Sequence, residues 1–321
     1  MIAMLCGGFG AARFLEGLRT SAAELCCIVN VGDDFDHLGL RVCPDLDSVL
    51  YALAGCFDEV RGWGPVDDSF ACNQALARYG QDWFHLGDRD LALSLTRSAL
   101  LGEGQPLSTA TDRLVRAWNI PAAVLPESDQ PVRTRIRAPS HWLGFQEFVV
   151  RHEARPEVLE IAYEGAAEAT PAPGVLTALE TADLVVIAPS NPISSIGPIL
   201  ALPGIRRAIA TRRRPTVAVS PIVLNAEPRT AAERSRMVLR QVLMEAAGLA
   251  HRPSAVAAAY RDLIDAFVLD ERDQDEEERP LTQLGLPVLV TDTLAPPGER
   301  TELAKTVLEF GAALPKSRSG T

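Results

Sequence analysis

Residues 2–34 read IAMLCGGFGAARFLEGLRTSAAELCCIVNVGDD, and this stretch decides the fold. The apolar run at 2–6 predicts a buried strand that ends in glycine, and the apolar spacing at 11–18 predicts a helix. A second apolar run at 25–31 predicts another strand. A strand, a helix and a second strand in this order open a Rossmann-like α/β fold.

Strand-like and helical patterns continue to alternate along the 321 residues. Further strands are predicted at 83–86, 122–125, 184–188, 217–220, 267–269 and 288–290. Further helices are predicted at 45–54, 69–79, 90–101, 108–118, 229–247, 254–266 and 299–310. The alternation predicts a doubly wound, mostly parallel sheet in a single domain over 1–312, followed by a flexible tail at 313–321.

Three segments depart from this alternation. Arginines alternate with apolar or Thr residues from 132 to 137, and a turn follows, so we expect an antiparallel hairpin inserted at about 130–152, its second strand near 145–150. The residues at about 226–265 read as a helical sub-domain. The largely acidic stretch at 271–279 predicts a solvated loop.

Composition excludes several functional classes. The net charge of −11 argues against a nucleic-acid partner or an anionic membrane surface. No apolar run reaches the roughly 18 residues that a membrane span needs, and no signal peptide is evident. The six cysteines lie before position 73 without zinc-site spacing. We therefore expect reduced thiols and a cytoplasmic protein.

An acidic stretch follows the strand at 25–31. It contains Asp33, Asp34, Asp45 and Asp47, and the last two open a predicted helix after a proline. One aspartate suffices to cap a helix, although plain capping remains an alternative for this pair. Carboxylates gathered at a strand end repel one another unless a cation or a hydrogen-bonding ligand joins them. The stretch therefore predicts a site.

Further candidate loops follow other predicted strands. The glycine loop at 6–13 would let the backbone approach a phosphate group. It lacks the third glycine of a dinucleotide fingerprint and the Lys-Ser/Thr of a Walker loop. A tight turn between strand and helix is the alternative interpretation. The segment at 85–91 presents an arginine between two aspartates, for a ligand or for a local ion-pair network. The loop at 188–198 offers serine and asparagine donors. Trp63 is either a core anchor or a platform for a flat ring.

These segments occur in one order, which is more specific than any of them alone. They are GGFG at 7–10, NVGDD at 30–34, PDLD at 44–47, LGDRD at 86–90, PSNP at 189–192 followed by SIGPI at 195–199, and SPI at 220–222. In this order the chain resembles the 2-phospho-L-lactate transferase family of deazaflavin coenzyme F-420 biosynthesis, over about residues 2–312.

The resemblance implies a Rossmann-like enzyme that requires magnesium. Such an enzyme joins the deazaflavin precursor Fo (7,8-didemethyl-8-hydroxy-5-deazariboflavin) to a phosphorylated three-carbon acid carried on a guanosine diphosphate linkage, and GMP leaves. The acid could be the phospholactyl, phosphoenolpyruvyl or phosphoglyceryl form, and the sequence does not choose among them. The family also suggests a homodimer, with no nucleic acid or membrane as partner.

The resemblance also implies roles for the candidate residues. Asp45 and Asp47 would bind the metal, and Asp33, Asp45 and Asp47 would be catalytic. Asp47 and Arg89 fall where the family contacts Fo, and the sequence itself adds Asp88 and Trp63 to the predicted Fo-binding set. The guanylyl side would be held by Gly7, Gly8, Gly10, Ser190, Asn191, Ser194 and Ser195.

The chain departs from the family pattern after SPI. Leu224 and Thr230 stand where many members have small, glycine-containing segments, so close backbone approach to a ligand is in question there. Two rival functions remain open: a non-catalytic regulator of similar fold that binds nucleotide-sugars, and a nucleotide-dependent dehydrogenase. The paired acidic segments disfavour the first, and the failed dinucleotide fingerprint disfavours the second.

Overall fold

The computed structural model describes residues 1–19 and 24–315. Its strands are β1 (Ile2–Cys6), β2 (Leu25–Val29), β3 (Phe35–His37), β4 (Leu40–Val42), β5 (Ala123–Pro126), β6 (Arg133–Arg137), β7 (Trp142–Gly144), β8 (Glu160–Glu164), β9 (Leu184–Ile187), β10 (Thr216–Val219), β11 (Ala266–Asp270) and β12 (Val288–Thr291). Its helices are α1 (Gly8–Gly17), α2 (Pro44–Ala54), α3 (Ala71–Ala77), α4 (Asp88–Gly102), α5 (Leu107–Ala117), α6 (Val175–Thr181), α7 (Ile196–Ala201), α8 (Pro203–Thr211), α9 (Ala231–Ala246), α10 (Pro253–Ala259), α11 (Gln274–Gln283) and α12 (Arg300–Ala313).

Within the described ranges, seven strands form a sheet in the order β12-β11-β10-β9-β1-β2-β5, flanked by helices. Each neighbouring pair of strands is parallel. The chain starts at β1 in the middle, moves outward through β2 and β5, and returns to β9 on the other side of β1. This order confirms the predicted doubly wound, Rossmann-like sheet. It places the topological switch between β1 and β9, where open α/β sheets bind ligands.

The sheet is built from continuous apolar runs because parallel strands are covered on both faces. Every residue of β2 and β9 is buried, and Val185 and Phe267 have no exposed surface. The cysteines, all within the described ranges, are free thiols, and Cys6 and Cys27 are fully buried in the core. Cysteine therefore serves here as a small apolar residue, as predicted.

The predicted antiparallel hairpin is present, but its second strand lies earlier than predicted, at Trp142–Gly144. β6 pairs with β7, and β8 pairs with the other edge of β6 to give a small antiparallel sheet in this part of the described chain. Residues 145–150 are not a strand, because the chain turns into a π-helical segment at Glu147–Arg151. Phe145 and Phe148 lie three residues apart and are both buried, which suits a helical turn rather than strand alternation.

The predicted strand at 83–86 is also wrong. Trp83 and Phe84 both contact Phe35, with ring centroids 5.9 and 4.7 Å away. Consecutive residues of a strand point to opposite faces, so two neighbouring rings on one partner exclude that conformation. The aromatic run instead covers the β3–β4 hairpin, which lies inside the acidic stretch.

The acidic stretch at 271–279 is not a solvated loop. A 3₁₀ turn at Glu271–Asp273 leads into α11, and Asp273 and Glu277 have no exposed surface. These two residues lie four positions apart on one helical face. Asp273 accepts backbone hydrogen bonds from Leu224 (2.8 Å) and Asn225 (2.9 Å). These two buried charges therefore organise neighbouring backbone, whereas Glu271, Asp275 and Glu276 of the same stretch are exposed.

The predicted helical region at about 226–265 contains α9 and α10. The second helix ends at Ala259, earlier than predicted, and a turn at 260–263 leads towards β11, which begins at Ala266. At the other end of the chain α12 continues to Ala313, and 316–321 of the predicted tail lie outside the described residues. In the described ranges, no helix has the length and apolar character needed to cross a membrane.

Glu277 should be a strong contributor to stability. Its carboxylate accepts hydrogen bonds from the backbone N–H of Ser254 (2.7 Å) and from Nε of Arg252 (2.8 Å). Replacing Glu277 with Ala leaves these donors unsatisfied and opens a void, so we expect the free energy of unfolding to fall by about 3 kcal/mol. Urea denaturation monitored by circular dichroism measures this change.

The control for that experiment is Asp275→Ala, which removes an exposed carboxylate from the same helix. It should change the free energy of unfolding by less than about 1 kcal/mol. Equal losses in the two variants would contradict a structural role for Glu277.

Candidate active site

A cleft of about 320 Å³ opens at the switch between β1 and β9. Its walls come from the loops after β1, β2, β9 and β10, from the first turn of α2, from α9 and the segment before it, and from the start of α12. The predicted site residues that line it are Gly8, Gly10, Asp33, Asp45, Asn191, Ser194 and Ser195. Three separate sequence motifs therefore meet in one cleft.

Asp33 and Asp45 form the acidic pole of the cleft, and Asn30 holds it in place. Nδ2 of Asn30 donates to Oδ2 of Asp45 (2.8 Å) and to the carbonyl oxygen of Ser194 (3.1 Å). Oδ1 of Asn30 accepts from the backbone N–H of Gly32 at 2.8 Å. Asn30 has no exposed surface, so one buried amide ties together the end of β2, the start of α2 and the loop after β9.

The start of α1 approaches the acidic pole so closely that side chains would not fit. A Cβ at Gly7 would lie 2.2 Å from Oδ2 of Asp45, and one at Gly10 would lie 1.9 Å from the carbonyl oxygen of Pro189. Gly8 has φ of +67°, a conformation that glycine adopts without strain. The glycine loop is therefore required by close packing between α1, α2 and the loop after β9.

The loop after β9 fixes the other side of this contact. Oγ of Ser190 accepts a hydrogen bond from the backbone N–H of Gly7 at 3.3 Å. The side chain of Ser195 hydrogen-bonds to Asp45. Oδ1 of Asn191 accepts two backbone N–H groups of its own loop, at 2.9 and 3.2 Å. These side chains hold the cleft wall together, and their contacts run inside the protein.

The acidic pole is incompletely compensated. Burial raises the pKa of Asp45 to about 6, although hydrogen bonds from Asn30, Gly8 and Ser195 oppose the rise. Burial and the neighbouring Asp45 raise the pKa of Asp33 well above its ordinary value. Oδ1 of Asp33 is buried and has no hydrogen-bond partner among the described residues. The pair is suited to a cation or to a hydrogen-bonding ligand.

Asp34 and Glu127 form a second pair of buried carboxyl groups near the acidic pole. Asp34 accepts a hydrogen bond from the thiol of Cys43 at 3.0 Å, and burial raises its pKa to about 7. Glu127, just after β5, is fully buried, and burial followed by the charge of Asp34 raises its pKa. Glu127 escaped the sequence analysis because it stands alone in its segment.

The acidic pole fits a magnesium ion that is shared with a substrate. In the described part of the chain, no three His, Cys, Asp or Glu side chains are grouped so as to hold a metal by themselves. Magnesium, however, usually takes one or two protein carboxylates and completes its shell with water and substrate phosphate. Asp33 and Asp45 supply two carboxylates, including a buried oxygen that lacks a partner.

The cleft is also lined by the arginine cluster, defined as Arg13, Arg236 and Arg240. Burial lowers the pKa of Arg236 to about 10, and burial together with the charge of Arg236 lowers that of Arg240 to about 10. Arg13 lies 3.8 Å from Glu59 and from Glu233, whereas neither helix arginine forms an ion pair within the described ranges. The cluster therefore suits an anion.

The sequence analysis missed this cluster. Arg236 and Arg240 lie four residues apart in the predicted helix at 229–247, so both fall on one face. That spacing was the available signal, but it does not tell whether the face meets solvent or a cleft. The packing of α9 over the glycine loop places this helix face in the cleft. The guanidinium of Arg236 lies 3.8 Å from the ring centroid of Phe9 there.

The bulky residues after SPI have structural roles. Leu224 packs against the core, and its backbone N–H donates to Asp273. Thr230 caps α9 by accepting the backbone N–H of Glu233 at 3.1 Å. Val223 and Arg229, from the same segment, line the cleft. The departure from the family pattern therefore orders this loop beside the cleft.

Asp47 does not line the cleft. It lies on the side of α2 that faces α4, where it forms an ion pair with the buried Arg97. Burial raises the pKa of Asp47, and Arg97 opposes that rise. Its neighbour on the same face of α2, Tyr51, donates a hydrogen bond to Asp90 at 2.5 Å. The structure therefore separates Asp47 from Asp33 and Asp45.

The residues predicted to contact Fo also lie outside the cleft lining. Asp88 accepts the backbone N–H groups at the start of α3, at 3.0 and 3.1 Å, and a hydrogen bond from Ser69, which lowers its pKa. Arg89 is exposed and donates to the carbonyl oxygen of Val66 at 3.1 Å. Trp63 is half-buried beneath the guanidinium of Arg61, 4.8 Å from the ring centroid.

Comparison with known proteins relates this geometry to a family. The family model of 2-phospho-L-lactate transferase CofD matches residues 2–289. The chain is 41% identical to a phosphoenolpyruvate transferase of Streptomyces griseus, over 95% of this chain and 99% of that protein. It is 38% identical to one of Thermobifida fusca (96% and 99%) and 39% identical to one of Mycolicibacterium smegmatis (91% and 94%).

Solved structures support the fold alone. Protein BH3568 from Bacillus halodurans superposes with a TM-score of 0.61 at 16% identity, covering 96% of this chain and 98% of that one. A second crystal structure, described as a member of the UPF0052 family, gives a TM-score of 0.60 at 17% identity, with the same coverage.

Asp45 should make stability depend on pH. Because folding raises its pKa to about 6, the folded state holds this proton more tightly than the unfolded chain does. The carboxyl group therefore costs the folded protein stability as the pH rises from about 4 to above 6. We expect Asp45→Asn to be more stable than the parent protein, by a margin that grows by about 1 kcal/mol between roughly pH 5 and pH 8.

Urea denaturation at both pH values, without metal, measures that margin. Asp36→Asn is the matched control from the same acidic stretch, because its side chain is 68% exposed and pairs with Arg41 at the surface. The control should show no such growth. A margin for Asp45→Asn that stays constant with pH would contradict the argument.

Asp47 should contribute chiefly to stability. Replacing it with Ala leaves Arg97 buried without its counter-ion, so we expect the free energy of unfolding to fall by about 3–5 kcal/mol. Replacing Arg97 with Met in the same protein removes the uncompensated charge and should restore at least about 2 kcal/mol. Urea denaturation of both variants tests this, and a double variant no more stable than Asp47→Ala would refute it.

Proposed function

The chain belongs to the 2-phospho-L-lactate transferase CofD family, and we propose that, as a transferase of coenzyme F-420 biosynthesis, it moves a phosphoenolpyruvyl group from a guanosine diphosphate linkage to Fo and releases GMP. The names of the relatives that are 38–41% identical over nearly the whole chain support phosphoenolpyruvate as the acid. Family membership also favours an enzyme over the nucleotide-sugar-binding regulator.

The observation that carries the proposal is the pairing of the two charged regions in one cleft. The acidic pole and the arginine cluster both line the cavity at the switch between β1 and β9. A donor with a diphosphate and a carboxylate matches this arrangement, because it needs a cation at one place and direct arginine contacts at another. A neutral substrate would leave both sets of charges uncompensated.

Magnesium is part of the proposal. Asp45 would hold the ion, with Asp33 left free beside it, and the ion when bound would neutralise the charge that develops on the diphosphate oxygens. The chain's own residues do the rest of the positioning. Asn30 keeps Asp45 in place, and the packed glycines keep the start of α1 against the same carboxylate.

The chemical step is a substitution at phosphorus. The terminal ribityl hydroxyl oxygen of Fo forms a bond to the phosphorus that carries the acid, while the bond from that phosphorus to the bridging oxygen breaks. GMP leaves with the bridging oxygen and its electron pair. The hydroxyl proton passes to a base, for which Asp33 is the best placed carboxylate, since its Oδ1 in the cleft has no partner among the described residues. General-base help contributes roughly 10²–10⁴-fold.

The acceptor side of the proposal rests on the residues carried over from the family. Trp63, with Phe70 at 5.8 Å and Arg61 above its ring, offers a flat apolar surface beside a cation. Arg89, in the first turn of α4 after Gly87, is exposed and donates to the carbonyl oxygen of Val66, which follows Trp63 closely in the chain. Asp47 supports this region through its ion pair with Arg97 in α4, the helix that begins at Asp88 and contains Arg89.

The direct test is a reconstituted reaction. Incubating the protein with Fo, magnesium and, separately, the guanylylated forms of phosphoenolpyruvate, phospholactate and phosphoglycerate should yield the phosphoenolpyruvyl adduct of Fo most rapidly, with one GMP per adduct. Mass spectrometry identifies the product. Failure to form any adduct would overturn the proposed function, and a strong preference for another acid would overturn the choice of phosphoenolpyruvate.

Variants of the acidic pole sharpen that test. Asp33→Asn and Asp45→Asn should each lower kcat by at least about 10²-fold while the far-ultraviolet circular dichroism is unchanged, because they remove a base or a metal ligand. Asp36→Asn, an exposed neighbour in the same stretch, should retain activity within about twofold. Near-normal turnover in both pole variants would exclude the mechanism.

A further inference from the structure

We propose that Arg236 and Arg240 of α9 bind the carboxylate of the acid that is transferred, and so select a carboxylate-bearing donor. This inference rests on the proposed function and assigns one end of the donor to one part of the cleft. It concerns a recognition contact and not the chemical step.

Arg236 is held in a fixed orientation, and one nitrogen of its guanidinium has no hydrogen-bond partner in the described chain. One face of its guanidinium lies on the ring of Phe9, 3.8 Å from the centroid. A Cβ at Gly62 would lie 2.3 Å from Nη1 of Arg236, so the backbone of that glycine closes a second side. Nη2 of Arg236 is buried and has no hydrogen-bond partner in the described chain. A planar fork that is already oriented loses little entropy when it binds.

Arg240 is oriented by a neutral partner. Its Nε donates to Nε2 of His251 at 3.2 Å. Burial and the neighbouring Arg240 lower the pKa of His251 to about 4, so the imidazole is uncharged and accepts this bond near neutral pH. His251 therefore fixes the guanidinium of Arg240 without neutralising it, and the charge stays available to a ligand.

The other charged groups around these arginines do not satisfy them. Glu233, on the same helix, is engaged by the backbone N–H of Arg229 at 2.7 Å and by Arg13 at 3.8 Å. Arg300, across the cleft, forms ion pairs with Glu16 and Glu59. Within residues 1–19 and 24–315, neither Arg236 nor Arg240 forms an ion pair, although the charge of Glu233 opposes the lowering of the pKa of Arg236.

The charge distribution of the donor indicates which group meets them. Its diphosphate is assigned to the acidic pole, where a divalent cation would compensate it. Guanosine carries no formal charge. The remaining anion of the donor is the carboxylate of the acid, and a carboxylate matches the planar fork of arginine with two parallel hydrogen bonds.

The test compares two ligands that differ in the acid. Guanylylated phosphoenolpyruvate carries the carboxylate, whereas GDP has the nucleotide and the diphosphate without it. Isothermal titration with magnesium present should show that Arg236→Met weakens binding of the guanylylated acid roughly 10- to 100-fold and changes the affinity for GDP less than twofold. Arg236→Lys should recover little, because a point charge does not replace the fork.

Arg234→Met is the matched control, since this arginine lies on the exposed side of the same helix. Both affinities should be unchanged there. Thermal unfolding of the ligand-free proteins adds a second readout. Because Arg236→Met removes a buried charge that has no counter-ion, its midpoint should be equal to or higher than that of the parent protein.

Two results would overturn the inference. One is an equal loss of affinity for GDP and for the guanylylated acid, which would assign the arginines to the nucleotide or its phosphates. The other is unchanged affinity for both ligands. The comparison of affinities needs no turnover. A protein that binds both ligands but transfers nothing would refute the proposed function. The two affinities would still show whether the arginines contact the carboxylate.

Discussion

The site depends on the contact between the start of α1, the carboxylate of Asp45 and the loop after β9. The backbones of α1 and of the loop after β9 approach each other there so closely that a side chain would not fit. One buried amide, Asn30, donates hydrogen bonds to Asp45 and to the carbonyl oxygen of Ser194. A doubly wound sheet leaves a crevice at its switch point whatever its sequence. This contact turns the crevice into a site of defined shape, because it fixes a carboxylate at the crevice floor.

The cleft is assembled at a cost to the folded protein. The acidic pole and the arginine cluster each concentrate charge of one sign away from water, and the raised carboxyl pKa values and lowered arginine pKa values express that cost. Some other buried charges are instead paired with an opposite charge, as Asp47 is with Arg97 and Glu277 with Arg252. The contrast distinguishes charges that are neutralised within the protein from charges that lack a counter-ion, which are the better candidates for ligand contacts.

The sequence predicted the features that are encoded locally. Continuous apolar runs and glycine-terminated strands indicated the parallel sheet, and the motifs at strand ends brought Asp33, Asp45 and the serine–asparagine loop into one cleft. Features that depend on packing were not predictable. The partner of Asp47 lies fifty residues away on α4, and the burial of Asp273 and Glu277 depends on which face of α11 meets the protein. In the same way, the helical spacing of Arg236 and Arg240 did not reveal the cleft beside them.

The two charged regions of the cleft come from distant parts of the chain. The acidic pole belongs to the β2–α2 segment, whereas Arg236 and Arg240 belong to α9, much later in the chain. Such a division would let the two regions change independently. If α9 recognises the acid as proposed, exchange of residues along this helix would change which organic acid is accepted without altering the acidic pole. Relatives that use different acids would then be expected to diverge on this helix first and in the Asn30–Asp45 contact last.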